Sequence, residues 1–153
     1  MGLIAVELHK PANRIVERRW PHAKTVPDVR LVDGAMVKQW HLEYPMAEEI
    51  HLWAGFPCVD LSRVRANRQG LKGPASSLVF EIPRIEELLK KEFGSGVLFK
   101  KVIENVSSMD RAAAVEISNL FGLSPYELDS VDSVPMRRPR FAWCSERLSL
   151  IHI

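Results

Sequence analysis

Cys58 is the residue whose type and position point most directly to chemistry. It follows Gly55-Phe56-Pro57, which comes directly after the apolar run at 50–54. An apolar run that breaks into glycine and proline is typical of a strand that ends in a tight loop. Pro57 fixes its own φ at about −65° and favours an extended Phe56, so the loop that carries the thiol is stiff. A lone cysteine is most often a small buried hydrophobic residue, but the segments downstream favour a reactive thiol here.

Two of those segments place polar groups beside apolar runs. The run at 97–103 leads into Glu104-Asn105-Val106, and Arg138-Pro139-Arg140 precedes the aromatic run Phe141-Ala142-Trp143. Pro-Cys, then Glu-Asn-Val, then Arg-x-Arg before an aromatic strand is a specific ordered set. It resembles the DNA cytosine-5 methyltransferase family over roughly residues 3–143. Asp60-Leu61-Ser62 after the cysteine is most similar to the DNA methyltransferase 3 branch.

The resemblance implies covalent catalysis on a flipped cytosine. Cys58 is by resemblance the nucleophile, because a thiolate that adds to carbon 6 turns the ring into an enamine able to accept a methyl group at carbon 5. Glu104 supplies a proton or strong donor at ring nitrogen 3, and Asn105 ties the loop around Cys58. Arg138 and Arg140 match the Arg-x-Arg that contacts the base oxygen, and Arg140 is the expected base contact.

This chemistry sets two physical requirements. A glutamic acid side chain, with an ordinary pKa of about 4.3, is a poor acid unless it is partly desolvated. We expect the apolar setting of Glu104 to come from Val102, Ile103 and Val106. The target base must also leave the duplex, at a cost of a few kcal/mol. Double-stranded DNA is therefore the expected partner.

The same resemblance implies S-adenosylmethionine as the methyl donor. Glu7 ends the first predicted strand, where an acid can accept hydrogen bonds from both ribose hydroxyls. Asp28 matches the acid that receives the adenine amino group, although a turn residue is an equally good interpretation of Asp28 taken alone. The expected cofactor-binding residues are Glu7, Leu8, Asp28, Val29, Phe56, Pro57 and Leu78.

The elements that must position these groups alternate between strands and helices. Apolar runs predict strands at 3–7, 24–26, 50–55, 97–103, 126–134 and 141–144, and helical spacing predicts helices at 11–20, 35–40, 77–93 and 109–121. Pro83 should kink the third helix, and Ser107-x-x-Asp110 resembles a capping box for the fourth. The alternation predicts an α/β fold with a mostly parallel, Rossmann-like sheet flanked by helices.

Composition bounds the class of protein. The chain has 153 residues, 46% of them hydrophobic, which suits one domain. Its net charge of +2 is too small to indicate nucleic-acid binding by itself. The two cysteines form neither a disulfide framework nor a metal spacing, and no membrane span or secretory signal is present. We therefore expect a cytoplasmic protein of bacterial or phage origin, without metal. No pattern indicates an oligomeric state.

Some parts of the family's pattern are missing. A phenylalanine- and glycine-rich loop that grips the donor should precede Glu7, but the chain begins at Met1-Gly2. We therefore expect residues 1–147 to be a partial catalytic domain, without the first strand, its donor loop and the target-recognition region. Residues 148–153 look like a translated sequencing adaptor. By itself such a fragment should methylate DNA weakly or not at all.

Two other functions stay open at this point. The first is a non-catalytic, methyltransferase-like partner that binds DNA or regulates another subunit. The retention of Cys58 and Glu104 argues against it, since a scaffold needs neither. The second is a thiol-dependent redox or acyl-transfer protein, which would require a resolving cysteine or a histidine partner at recognisable spacing.

Overall fold

The computed structural model describes residues 2–63, 66–130 and 137–146, and helices and strands alternate along it. The strands are β1 (Ile4–Val6), β2 (Lys24–Val26), β3 (Glu49–Gly55), β4 (Leu98–Val106), β5 (Pro125–Leu128) and β6 (Arg140–Cys144). The helices are α1 (Lys10–Arg19), α2 (Gly34–Glu43), α3 (Glu81–Phe93) and α4 (Arg111–Phe121). The predicted α/β class is confirmed. Residues 131–134 of the fifth predicted strand and the tail at 148–153 lie outside the described residues.

The chain divides into two units. The first comprises Met1–Glu48 and Arg84–Val97, and the second comprises Glu49–Pro83 and Leu98–Ile153. In the first unit, β1 and β2 pair in parallel, with Val6 opposite Val26. Helix α1 connects these two strands, as expected for a parallel pair, which needs a crossover connection. The carboxyl ends of β1 and β2 therefore lie at the same edge of this small sheet.

The second unit contains a four-stranded sheet in the order β3-β4-β6-β5. Strands β3 and β4 are parallel, whereas β6 runs antiparallel to both of its neighbours. No helix separates β5 from β6 among the described residues, and strands joined without a crossover helix pair antiparallel. The parallel part of the prediction holds for β1–β2 and β3–β4. The antiparallel position of β6 was not predicted, because the strand–helix alternation ends before it.

Side-chain alternation along β4 separates the core of this unit from its functional groups. Ile103 and Asn105 are buried, whereas Glu104 between them is exposed. Over these three residues the burial follows the period of two expected of a strand, but the next residue, Val106, is buried as well although it shares the face of Glu104. The buried apolar residues packed together are Phe56, Leu61, Leu71, Val79, Ile82, Ile103, Val106, Met109, Ile117, Phe121 and Trp143.

Two predicted helix starts are wrong. A 3₁₀ turn over Ser76–Phe80 precedes α3, which begins at Glu81, so Pro83 lies in the first turn of the helix. A proline is tolerated there because its missing N–H would have no partner in the helix. In α4 the N-cap is Asp110, whose side chain makes no capping bond, so the capping box is absent. The predicted end of α4 at Gly122 is confirmed, with a left-handed φ of 64°.

Trp143 should be the most costly core side chain of the second unit to remove. It is fully buried, and its indole Nε1 donates to Ser118 Oγ over 2.9 Å. We expect Trp143→Ala to lower the free energy of unfolding by about 3–5 kcal/mol, because the loss of a large buried aromatic leaves a cavity. Urea unfolding followed by circular dichroism measures this change. Trp143→Phe, which keeps most of the volume, should cost clearly less; equal losses would contradict the packing argument.

Candidate active site

The loop that carries Cys58 is held by the strand next to it. Gly55 ends β3, and Asn105 of β4 donates from Nδ2 to the carbonyl oxygen of Phe56 over 2.9 Å. Asn105 is buried, and its Oδ1 accepts the N–H of Val106. Each end of the amide therefore has a partner, as a buried amide requires. The predicted tie between Asn105 and the cysteine loop is confirmed as a hydrogen bond.

The four predicted catalytic residues meet at one cavity. This cavity has a volume of about 120 Å³ and is partly open to solvent. Its lining residues are Phe56, Cys58, Glu104, Asn105, Val106, Arg138 and Arg140. Cys58 is a half-buried free thiol. The cavity thus combines a thiol, a carboxylate and two guanidinium groups above an apolar floor. In a polar, planar ligand, the thiol could attack an electrophilic atom, the carboxyl group could donate a proton, and the guanidinium groups could bind oxygen atoms.

Glu104 forms an ion pair with Arg140. The Nε of Arg140 lies 2.7 Å from Glu104 Oε1, and the side chains are 48% exposed for Glu104 and 24% exposed for Arg140. The expected apolar setting of Glu104 is present in part. Val102 and Val106 lie on the same face of β4 as Glu104, and the buried Val106 lines the cavity beside it, whereas Ile103 points into the core on the opposite face. Further desolvation of this half-exposed carboxyl group must come from a bound ligand.

Gly55 leaves room for the same carboxyl group. Gly55 and Glu104 are register partners on β3 and β4. A Cβ added at Gly55 would lie 3.2 Å from Glu104 Oε2, which is tighter than an ordinary contact. Gly55 therefore both precedes the tight cysteine loop and leaves space for the Glu104 side chain.

The two arginines of the Arg-x-Arg segment differ in their constraints. The backbone N–H of Arg138 donates to Asp129 Oδ1 over 2.8 Å, which fixes the chain at the entrance to β6, while its side chain is exposed. Arg140 is half-buried, and its Nη1 donates to the Pro139 carbonyl oxygen. Because Nε contacts Glu104, Nη2 is the nitrogen of Arg140 without a partner among the described residues. This nitrogen can meet a ligand oxygen.

The two predicted cofactor acids lie at the carboxyl ends of the parallel strands of the first unit. Glu7 follows β1, and its Oε1 accepts the N–H of His9 over 2.7 Å. Glu7 Oε2 has no partner among the described residues, so the side chain fits a ribose diol. Asp28 follows β2, but Arg30 engages both of its oxygens, with Nη2 at 2.6 Å from Oδ2 and Nε at 3.0 Å from Oδ1. Asp28 fits an adenine amino group only if Arg30 moves away.

The other predicted cofactor residues are apolar and differ in exposure. In the first unit, Leu8 is 70% exposed and Val29 is half-buried. In the second unit, Phe56 is buried in the core, Leu78 is half-buried and Pro57 is exposed. Leu8 offers open apolar surface beside Glu7, as a purine ring would require. Phe56 both lines the cavity and anchors the core.

Arg30 should dominate the titration of Asp28. Hydrogen bonds from the Arg30 side chain and backbone lower the pKa of Asp28 to about 2. This stabilising effect is complete above the unfolded pKa of about 3.9 and is lost as the pH falls through the folded value. We expect Arg30→Ala to return the pKa of Asp28 toward 3.9, as measured by carboxyl ¹³C NMR. Arg14→Ala, which removes an arginine of α1, should leave it unchanged; an equal response to both variants would contradict the assignment.

Sequence reasoning missed two polar residues beside the cysteine loop. Asp60 and Ser76 are both buried, and their hydrogen bonds reach the backbone around Cys58. Asp60 entered the sequence argument only as part of a motif, and Ser76 only as a helix cap. The signal that was available is an acid within two residues of the thiol.

Two features are not found in the described part of the chain. Within residues 2–63, 66–130 and 137–146, no three His, Cys, Asp or Glu side chains are grouped so that they could hold a metal ion. In the same residues no helix has the length and apolar character needed to cross a bilayer.

No protein-family profile matches this chain, and no curated protein is similar to it at a significant level.

Proposed function

We propose that this chain carries the catalytic residues of a DNA cytosine-5 methyltransferase. The reaction transfers a methyl group from S-adenosylmethionine to carbon 5 of a flipped cytosine in double-stranded DNA. The observation that carries the proposal is the convergence of Cys58, Glu104, Arg138 and Arg140 on one cavity. These residues are far apart in sequence, and a purely structural role would not require a thiol, a carboxylate and two guanidinium groups to share one opening.

The first step forms a bond between Cys58 and the base. The Cys58 thiolate adds through Sγ to carbon 6, and the electron pair of the 5,6 double bond moves toward carbon 5 and ring nitrogen 3. The Glu104 carboxyl group donates a proton to nitrogen 3. The ring is then an uncharged enamine, which is nucleophilic at carbon 5. The flat ring itself excludes water from Glu104, which the protein leaves half exposed.

The arginines hold the base for this step. Arg140 already contacts Glu104 through Nε, so its Nη2 can donate to the oxygen on carbon 2 while Nε fixes the carboxyl group. One planar guanidinium would thereby align the acid and the base together. Arg138, whose backbone is anchored to Asp129, presents a second cation at the rim of the cavity, where a DNA phosphate would pass.

The methyl donor fits the first unit in part. When bound, S-adenosylmethionine supplies an electrophilic methyl group on a sulfonium ion. Glu7 would hold the ribose hydroxyls, Leu8 and Val29 would contact the adenine, and Asp28 would accept the adenine amino group after Arg30 withdraws. Phe56, Pro57 and Leu78 belong to the second unit, so the geometry that supports the donor proposal is that of Glu7, Leu8, Asp28 and Val29 alone. Rossmann-like nucleotide sites place acids at the carboxyl ends of parallel strands. The positions of Glu7 and Asp28 therefore support the proposal that the fold is Rossmann-like.

Loss of the carbon-5 proton to water ends the reaction: the 5,6 double bond reforms and expels the Cys58 thiolate, and ring nitrogen 3 returns its proton to the Glu104 carboxylate. Sulfur suits both roles, since it is a strong nucleophile and a good leaving group. Both cysteines are free thiols, as this chemistry and a reducing cytoplasm require. A location in the cytoplasm of a bacterium or of a phage-infected cell is part of the proposal.

The addition step can be tested without the methyl donor. Reversible addition of Cys58 makes carbon 5 exchange its hydrogen with solvent. The test uses an oligonucleotide duplex with one unpaired cytosine that carries tritium at carbon 5, because an unpaired base removes most of the flipping cost. We expect the 153-residue chain to release tritium into water in proportion to its concentration.

The control is the same duplex with tritium at carbon 5 of a paired cytosine, which should exchange far more slowly. DNA binding without any exchange at the unpaired cytosine would contradict the enzyme assignment and favour a non-catalytic DNA-binding partner. Exchange that is equal at both cytosines would contradict recognition of a flipped base.

A further inference from the structure

Asp60 is a buried carboxylate two residues after Cys58. It is 4% exposed, and its Oδ2 accepts the backbone N–H groups of Ala75 at 3.3 Å and Ser76 at 3.2 Å. Burial of a carboxylate is costly unless hydrogen bonds replace its lost hydration. These N–H groups begin the 3₁₀ turn that leads into α3, where an anionic acceptor is favourable. Asp60 therefore joins the cysteine loop to the start of a helix.

Ser76 continues this connection back to the peptide that precedes the thiol. Its side chain is fully buried, and its Oγ donates to the carbonyl oxygen of Pro57 over 3.1 Å. This carbonyl belongs to the peptide bond between Pro57 and Cys58. The Asp60 carboxylate thus holds the backbone of Ser76, and the Ser76 hydroxyl holds the peptide that carries Cys58.

The loop between these residues is fitted closely around the carboxylate. The N–H of Gly70 donates to the Asp60 carbonyl oxygen over 3.0 Å. Gly73 is buried, and a Cβ added there would clash with the Asp60 carboxyl group. Only glycine at position 73 lets the chain approach the carboxylate this closely. Gly70 thus contacts the backbone of Asp60, and Gly73 leaves the space that its side chain occupies.

All three carbonyl oxygens around the thiol have assigned donors. Asn105 holds that of Phe56, Ser76 holds that of Pro57, and the N–H groups of Leu61 and Ser62 hold that of Cys58. The first donor comes from β4 and the second depends on Asp60. Removal of Asp60 would leave Phe56 anchored but would release the peptide at the cysteine itself.

We propose that Asp60 is a positioning residue that acts through Ser76 to orient the Cys58 thiol toward the cavity. The inference rests on the proposed function only for the identity of Cys58 as nucleophile. Asp60 and Ser76 are not among the residues that line the cavity, so neither touches the reacting atoms. A displacement of about 1 Å at a reacting group can cost about 10²-fold in rate, which sets the size of the expected effect.

The test compares two variants by two measurements. We expect Asp60→Ala to slow tritium release from the unpaired cytosine by about 10²-fold and to speed the alkylation of Cys58 by iodoacetamide by about fivefold or more, because a loosened loop opens locally. Asp60→Asn, which keeps an oxygen acceptor for both N–H groups, should stay close to the unsubstituted chain in both measurements. Peptide mass spectrometry distinguishes Cys58 from the buried Cys144.

A neighbouring pair of serines supplies the matched control. Ser76→Ala removes the bond to Pro57, whereas Ser77→Ala removes a hydroxyl that donates to Pro74 over 3.2 Å. Ser76→Ala should change exchange and alkylation in the same directions as Asp60→Ala, and Ser77→Ala should change neither. This comparison holds even if Asp60→Ala lowers the melting temperature so far that it fails to fold.

Three results would overturn the proposal. One is a loss of melting temperature in Ser76→Ala with exchange and alkylation unchanged, which indicates a structural role alone. Another is equal behaviour of Ser76→Ala and Ser77→Ala, and the third is an Asp60→Asn variant as impaired as Asp60→Ala. Absence of exchange in the unsubstituted chain would contradict the proposed function instead. Alkylation of Cys58 would then still decide whether Asp60 positions the thiol.

Discussion

Cys58→Ser is expected to abolish tritium release from the unpaired cytosine, with a loss of at least about 10³-fold. A serine hydroxyl has almost the same shape as the thiol, but at neutral pH it supplies almost no anion to attack carbon 6, whereas a thiol supplies some thiolate. Because the trap needs only one turnover, even weak methyl transfer suffices: with S-adenosylmethionine present, a duplex that carries 5-fluorocytosine should slowly form a covalent adduct with the unsubstituted chain and none with the variant. Denaturing gel electrophoresis measures the adduct.

The chain offers its own control for this substitution. Cys144 of β6 is the second free cysteine, and it is buried. Burial raises the pKa of the Cys144 thiol, which keeps it in the unreactive form. Cys144→Ser should therefore retain the exchange activity and the adduct. Loss of the adduct with Cys144→Ser but not with Cys58→Ser would identify Cys144 as the nucleophile and contradict the mechanism.

The strands could be predicted because their signal is local. Apolar runs marked β2 without error and β3 and β4 to within a few residues. The position of β6 depends instead on which strand it pairs with, and that pairing has no local signature. In the sheet order β3-β4-β6-β5, Trp143 of β6 shares one buried cluster with Ile117 and Phe121 of α4, and such contacts between distant segments leave no mark in a local pattern. For this reason the antiparallel insertion of β6 became clear only in three dimensions.

The candidate site shows the same division. Residue types and order were enough to predict that Cys58, Glu104 and Arg140 belong together, and the register of β4 and β6 brings the last two into contact. The ion pair itself could not be predicted, since it depends on a cross-strand neighbour. The expectation of an apolar setting for Glu104 holds for Val102 and Val106, which share its face of β4, but not for Ile103, because a strand directs adjacent side chains to opposite faces. Asp60 was missed because a surface turn and a buried anchor look alike in one sequence.

Glu104→Gln is expected to slow exchange by about 10²–10⁴-fold, the usual contribution of a positioned general acid. Glutamine keeps the size of the side chain and an oxygen for Arg140 Nε, but it cannot transfer a carboxylic proton to ring nitrogen 3. Glu127→Gln, on the exposed face of β5, is the matched control and should leave the rate unchanged. An exchange rate in Glu104→Gln equal to that of the control would remove Glu104 from the mechanism.

The contact between Glu104 and Arg140 extends this prediction to a pair. Groups in direct contact couple by about 0.5–3 kcal/mol, so their substitutions are not additive. If Arg140 acts partly by holding the Glu104 carboxyl group at 2.7 Å, Arg140→Gln should slow exchange in the unsubstituted chain but have a smaller effect in Glu104→Gln. Full additivity of the two losses would mean that Arg140 contacts the base independently of the acid. Whether this coupling differs from zero therefore decides whether the ion pair acts as one unit in the proton transfer.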